Sequence, residues 1–176
     1  MITKGKIFII LVFLIGFSSS IFAQSSASLD EPVLIQILKG LSMSKVGGDL
    51  DFGEYVLTSS NATATKTPDA GVNFEVTGFP GRAVTVTYAN VLLNNNAWVS
   101  ANGGTNDNLT FVPNVESTLG NSTYSGASSV VSGGTVNLTN DGGIGKLYLW
   151  VGGAIDIDAS TEQGDYTGTF TLTVAY

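Results

Sequence analysis

Gly164-Asp165-Tyr166-Thr167-Gly168-Thr169-Phe170-Thr171-Leu172-Thr173-Val174-Ala175-Tyr176 is the stretch whose reading decides the fold. From Tyr166 onward the even positions Tyr166, Phe170, Leu172, Val174 and Tyr176 are apolar, Gly168 excepted, and Thr167, Thr169, Thr171 and Thr173 occupy odd positions. Successive side chains of an extended chain point to opposite faces. This alternation of aromatic, β-branched and threonine residues therefore specifies a strand with one buried and one wet face. The even side is expected in the core. Because the alternation reaches Tyr176, the chain is expected to finish inside its own sheet, either as the last strand of a sandwich or as an edge that a partner handles.

Working back from that strand, the pattern repeats in short pieces. Ile155 and Ile157 alternate with Asp156 and Asp158, and Leu147, Leu149 and Val151 form a stronger segment that Gly152-Gly153 is expected to break or bulge. Val136 and Leu138 precede an Asp141-Gly142-Gly143 turn, while residues 117–134 carry little periodicity. Leu109 and Phe111 start a strand that Pro113 should end or push to an edge, since proline cannot donate to a ladder. Asn94-Asn95-Asn96 marks a turn ahead of Trp98. Val72, Phe74 and Val76, the turn Gly78-Phe79-Pro80-Gly81, and Val84, Val86 and Tyr88 predict a hairpin over residues 72–88. Ser59 to Pro68 is an edge strand or loop. Leu50 and Phe52 alternate in a short strand after the Gly47-Gly48 turn. In Val33–Met43 the residues Val33, Ile35, Ile37, Leu41 and Met43 share one parity, which favours a strand over the helix that Leu34, Ile35, Leu38 and Leu41 would also fit. Some eight to ten short strands with no convincing helix predict an all-β, antiparallel, immunoglobulin-like β-sandwich, without internal repeat or second domain.

The first 23 residues read differently. Lys4 and Lys6 precede the apolar run Ile7–Phe17, and Ser18-Ser19-Ser20-Ile21-Phe22-Ala23 forms a cleavage region before Gln24. That order is the one of a secretory signal peptide, with an apolar core about half the ~20 residues a spanning helix needs. The expected organisation is a signal peptide at 1–23, a flexible lead at 24–31 and one sandwich domain at 32–176. The mature protein is then exported to the periplasm, cell surface or exterior of a bacterium, with no membrane insertion once the signal is removed.

Composition narrows the function classes. Of seven basic residues the signal takes two, so five remain against fourteen acidic ones, a mature net charge of 5 − 14 = −9. The five, Lys39, Lys45, Lys66, Arg82 and Lys146, are scattered singly, whereas a grip on nucleic acid needs clustered Lys and Arg. Cysteine and histidine are both absent. A lipid anchor on an N-terminal cysteine, disulfides, Ser-His-Asp and Cys-His nucleophile systems and nearly every zinc site go with them. No cofactor is expected, and no catalytic constellation is recognisable.

Two clusters remain as candidates for chemistry. Asp156 and Asp158, with Glu162 and Asp165 close behind, could pair as carboxylates for glycoside hydrolysis or as oxygen ligands for calcium, although Thr161 stands where a calcium loop needs glycine. A solvated outer face is the plainer account of them, as it is of Asp49, Asp51 and Glu54. Among the aromatics Tyr88, Trp98, Tyr148 and Trp150 stand out. Tyr148 and Trp150 have the parity opposite to Leu147, Leu149 and Val151, so with Trp98 they are ligand-stacking candidates for carbohydrate unless the strand is buried on both faces. The sequons at Asn61, Asn108, Asn121 and Asn137 follow from an Asn/Thr-rich composition.

Four landmarks carry a resemblance: Leu50-Asp51-Phe52-Gly53, Gly78-Phe79-Pro80-Gly81, Val151-Gly152-Gly153-Ala154-Ile155, and the closing stretch from Gly164 to Tyr176. In this order and rough spacing the chain resembles, over about residues 32–176, the exported bacterial family catalogued as domain of unknown function 4402. Through it the chain is distantly similar to major subunits of common-pilus fimbriae of the Mat/Ecp type. The resemblance implies no enzymatic activity. It implies a structural or adhesive surface protein whose subunits assemble by β-strand exchange, main-chain hydrogen bonds giving affinity and alternate side chains filling pockets. The donor would be the segment carrying Val33, Ile35 and Ile37, preceded by the 24–30 lead. A periplasmic chaperone would pair with the terminal strand, whose inward positions are Tyr166, Phe170, Leu172, Val174 and Tyr176. A carbohydrate- or protein-binding module without catalysis is the alternative.

Overall fold

A computed structural model describes residues 40–58 and 60–176, all within one compact unit. The expected signal peptide, the lead and the donor positions Val33, Ile35 and Ile37 lie outside the described residues. In chain order the strands are β1 Ser42–Gly47, β2 Ala62–Lys66, β3 Val72–Gly78, β4 Ala83–Tyr88, β5 Val91–Asn94, β6 Asn108–Ser117, β7 Ser128–Ser129, β8 Gly134–Asn137, β9 Thr139–Asp141, β10 Ile144–Ile157 and β11 Leu172–Ala175. A 3-10 turn spans Pro68–Ala70 and a short helix, α1, spans Asn96–Asn102. The strands form two antiparallel sheets packed as a β-sandwich. The larger has the order β1-β3-β10-β6-β5, with β2 and β9 also pairing with β10 and β7 with β6. The smaller has the order β11-β4-β8.

β10 is the axis of the larger sheet. Its odd residues Leu147, Leu149, Val151, Ile155 and Ile157 are buried against the smaller sheet and the loops beside it. Gly152-Gly153 neither breaks nor bulges the strand, whose register with β6 runs without a shift from Leu149↔Ser117 to Ile155↔Phe111. The glycines answer close approach instead. A methyl group on Gly152 would stand 2.6 Å from both Thr67 C and Pro68 N, because the 3-10 turn lies directly on the strand. The Gly142-Gly143 turn closes a tight hairpin in which Ile144 pairs with Asp141; both glycines have positive φ (58° and 85°), as a two-residue hairpin loop requires.

The pair expected as a hairpin over 72–88 is not one. β3 belongs to the larger sheet and β4 to the smaller, so the Phe79–Arg82 turn carries the chain from one layer to the other. Val76, Val84 and Val86 are each no more than 1% exposed and face the same core across this arch. Alternation cannot separate the two geometries, since a hairpin and an arch both bury every second residue. The burial of each valine side chain contributes about 1.5–3 kcal/mol in the sandwich. Leu138 makes a second crossing, between β8 in the smaller sheet and β9 in the larger. It is 1% exposed, its N–H donates to Arg82 O at 2.9 Å and its carbonyl accepts from Gly81 N at 2.8 Å.

Three further expectations are corrected, and for Pro113 one of the two expected outcomes holds. β6 continues through Pro113, which pairs with Gly153 between the end of the β5 register at Phe111 and the start of the β7 register at Glu116. Among the described residues β6 has one neighbour there, the local edge expected for Pro113, so proline removes no bond from a second ladder. Leu50 and Phe52 lie in no strand; they are half-buried and pack onto the core clusters from a loop. The Asn94-Asn95-Asn96 turn opens into α1, in a chain otherwise without an α-helix among the described residues. The terminal strand is shorter than its alternation: only Leu172–Ala175 form a ladder, with β4, while Thr167 makes one isolated bridge to Asn94. The segment before Leu172 must pass from β5 of the larger sheet to the smaller one, and it keeps its burial parity while it crosses.

Candidate functional site

Among the described residues β1 and β11 are edge strands of the two sheets, and one end of each meets at Gly78. A methyl group on Gly78 would contact the Tyr176 hydroxyl, Leu138 Cδ1 at 2.8 Å and Leu41 Cδ1 at 3.1 Å. Tyr176 is held there by its hydroxyl, which accepts from Phe79 N at 2.7 Å, and by Arg82, whose guanidinium carbon lies 5.7 Å from the ring centroid. Residues paired across a ladder share a face. Met43 pairs with the fully buried Val76 and therefore belongs to the inner side, yet it is 38% exposed. Val174 pairs with the fully buried Val86, yet it is only half-buried. The inner faces of both edges are thus incompletely covered. Among the described residues β11 has β4 as its one sheet neighbour.

A groove of about 1310 Å³ is lined by other residues of the sandwich. Its floor is the inner face of the larger sheet, with Phe74, Phe111 and Ile155. One wall is the 49–57 loop and the other is the 161–170 segment. Phe170 bridges the cores from that second wall, its ring 5.9 Å from Phe111 and 6.5 Å from Tyr88. The rims are acidic: Asp49, Asp51 and Glu54 stand on one and Glu162 and Asp165 on the other. Lys45, hydrogen-bonded to Asp49, holds that carboxyl below its ordinary range. Among the described residues no group of three or more carboxylates is disposed to hold a metal ion.

A buried polar knot fixes the second wall. Asn95 is fully buried; its amide donates to Thr105 O at 3.1 Å and Gln163 O at 3.2 Å, and its carbonyl accepts from Asp107 N at 2.8 Å. Asp107 accepts from Glu162 N at 3.0 Å and from the Tyr166 hydroxyl at 3.2 Å, and its carboxyl is lowered first by the Glu162 and Asn108 amides. Burial, and then the hydrogen bond to Asp107, push the Tyr166 phenol up to about 12. Tyr166 is therefore half-buried as a tie to the polar knot, while Leu172 is buried and Phe170 and Val174 are half-buried along the same parity; Tyr176, expected inward with them, is instead 48% exposed, because the ladder ends at Ala175.

The stacking candidates are scattered. Tyr148 is 8% exposed, with its hydroxyl donating to Glu75 at 3.1 Å. Trp150 is half-buried, donates Nε1–H to Thr118 Oγ1 at 2.9 Å and meets the Tyr124 ring edge-on at 5.4 Å. Trp98 lines the groove from α1. Trp150 pairs with Glu116, whereas α1 follows the Asn94–Asn108 pair. Eight strand residues separate those points, about 27 Å at the rise of an extended chain. The three aromatics form no shared platform, and β10 is covered on both faces at Tyr148.

The acidic pair is also apart from the groove. Asp156 and Asp158 are exposed, and neither is among the groove's lining residues. Asp156 accepts from Thr63 Oγ1 at 2.8 Å, and Asp158 O from Thr161 N at 2.9 Å. The role of Asn95 was not singled out from the sequence; an asparagine between two others reads as a turn, and only its contacts across 68 residues mark it. Neither a curated protein nor a solved structure matches the chain. Residues 41–176 match the family model described as domain of unknown function DUF4402, and the chain belongs to that family.

Proposed function

We propose that this is an exported structural or adhesive surface protein, fimbrial-subunit-like and without catalytic activity, whose copies associate by β-strand addition. The observation that carries the reading is the seam: among the described residues, a terminal strand with one sheet neighbour, beside an opposite edge whose inner-side Met43 is 38% exposed. An added strand there gains main-chain hydrogen bonds along β11 and covers apolar side chains on both edges. The alternating Val33, Ile35 and Ile37 supply a segment of matching character. The fimbrial likeness and export rest on the sequence landmarks and the signal-peptide pattern. A periplasmic chaperone, on this reading, guards the same edge before assembly.

The test uses the mature protein, residues 24–176, isolated from the exporting cell. Size-exclusion chromatography over a concentration series and negative-stain microscopy are expected to show oligomers or fibres. A product that stays monomeric at all concentrations, with every strand edge protected from amide exchange, overturns the proposal.

A further inference from the structure

The two ends of the sandwich differ in chemistry. At one end the Phe79–Arg82 turn presents two exposed rings, Phe79 and Tyr176, with the exposed Arg82 guanidinium over the second. The turn is held in one shape, since Phe79 N donates to the Tyr176 hydroxyl, Gly81 N to Leu138 O at 2.8 Å and Arg82 N to Phe79 O at 3.3 Å. Of the four cationic side chains among the described residues, Lys45 and Lys146 meet carboxylates and Lys66 donates to Asp51 O, whereas Arg82 lies over a ring. At the other end lies the groove. Its apolar floor includes Phe111 and Ile155, and the exposed carboxylates of Asp51, Glu54, Glu162 and Asp165 stand on its two rims. Its volume of about 1310 Å³ exceeds the roughly 300–1,000 Å³ of sites built for one small molecule. Gly145 pairs with Gly78 beside the turn, and Ile157 lines the groove. About 40 Å of β10 separates them at the rise of an extended chain, so the turn of a chain cannot enter its own groove.

We infer that the Phe79–Arg82 turn of one copy seats in the groove of a second copy. Phe79 and Tyr176 rest against the Phe111–Ile155 floor, and the Arg82 guanidinium lies between the carboxylates of the two rims. Charge selects this occupant: a domain with so few cations places Arg82 beside two exposed rings, and places four carboxylates around an apolar groove at the far end. Aromatic rings and arginine are the side chains that dominate interfaces, and a turn already fixed in shape loses little freedom on docking. Two rings bury roughly 300–500 Å², less than the ~800 Å² per partner of a standard stable complex, so each junction is weak and reversible. The two surfaces differ and lie at opposite ends, which makes the contact heterologous. Copies therefore add head to tail into a row, or into a ring where the rotation closes. The contact joins preformed side chains and adds no strand to either sheet, so it stands or falls separately from strand addition.

The test compares the mature protein with R82E, which spoils the turn, and E54K/D165K, which spoils one carboxylate on each rim. Sedimentation velocity follows the mass of each from micromolar to millimolar concentration in about 0.15 M salt. There a Debye length of ~8 Å screens the net repulsion between copies and leaves contact charges paired. All three altered positions are exposed, and unchanged melting midpoints check that the fold is kept. Wild type is expected to gain mass with concentration, and each variant alone to associate at least about tenfold more weakly, because like charges then face each other. An equimolar mixture of the two variants retains one sound turn and one sound groove. It is expected to form dimers with the affinity of a single wild-type junction and to stop there. A mixture that stays monomeric, or that grows beyond dimers, overturns the pairing of turn with groove. Association weakened in E54K/D165K and unchanged in R82E means that the groove takes another part of the second copy, and overturns the role of the turn. Association unchanged in both variants overturns the inference and leaves strand addition standing. Wild type that remains monomeric up to millimolar concentration overturns a second copy as the occupant.

Discussion

Replacing Gly152 by alanine tests whether β10 is packed on both faces. The added methyl would overlap Lys66 O and stand 2.6 Å from Thr67 C and Pro68 N, while ordinary contact begins near 3.4 Å, so strand and turn must separate by at least about 0.8 Å. All three obstacles are backbone; the turn is held by Ala70 N to Thr67 O at 3.0 Å and Gly71 N to Pro68 O at 3.3 Å, and Pro68 is buried. A side chain could rotate away; this turn must lift. Overpacking of this kind costs about 1–3 kcal/mol, and backbone obstruction places Gly152 at the upper end. Lower entropy of the unfolded chain offsets about 0.4–1 kcal/mol. The net expectation is about 2 kcal/mol of destabilisation, or roughly 6–10 °C in the melting midpoint for a domain of this size. Calorimetry of wild type and G152A measures the shift, and amide exchange at Ala70 and Gly71 shows whether the turn has lifted. An unchanged or raised midpoint, with those amides still protected, would refute the close approach of the turn to β10.

Three other outcomes are expected. Truncating Asn95 to alanine leaves the Thr105 and Gln163 carbonyls and the Asp107 amide without their partner, at a cost of about 2–4 kcal/mol by denaturant unfolding; a loss below ~1 kcal/mol would mean water replaces the amide freely. In an alkaline titration followed by phenolate absorbance, Tyr124 and Tyr166 are expected to ionise near about 12 rather than the ordinary ~10, and D107N should bring Tyr166 down. Because the fold favours both neutral phenols, the stability they contribute is present below pH ~10 and is lost as pH rises through their folded values. Phe170→Ala removes the ring that touches both Phe111 and Tyr88 and is expected to cost about 3–5 kcal/mol; thermal unfolding that loses less than ~1 kcal/mol would show that the 161–170 wall is not seated on the core.

Faces were legible in the residues, and neighbours were not. Leu147, Leu149, Val151, Ile155 and Ile157 announce the buried side of β10 through parity alone, and the structure buries all five. The same rule was silent on whether β3 and β4 share a sheet, because an arch satisfies period-two burial as well as a hairpin does. Pairing depends on which backbone edges meet, and that choice is settled by distant residues such as Leu138, whose carbonyl and amide tie the Gly81–Arg82 crossing. Tyr148 illustrates the matching limit at the site. Its parity left open an exposed aromatic or a strand buried on both faces, and only the register with Glu75 and the hydrogen bond to it show the second. Glycine misled for a related reason: Gly152 stands inside a strand because another segment rests on it, a cause invisible in its own neighbourhood.

The centrality of β10 has a consequence for the order in which the molecule can form. Its partners are residues 62–66, 72–78, 108–117 and 139–141, and every one of them precedes it in the chain. A polypeptide emerging N-terminus first therefore exposes the mates of the larger sheet long before the strand that joins them, and the sheet cannot close until Ile157 has appeared. Such long-range pairing is slow and leaves strand edges bare in the interval. A chain with this plan stays open until β10 has emerged, and throughout that interval its bare strand edges need protection from other copies.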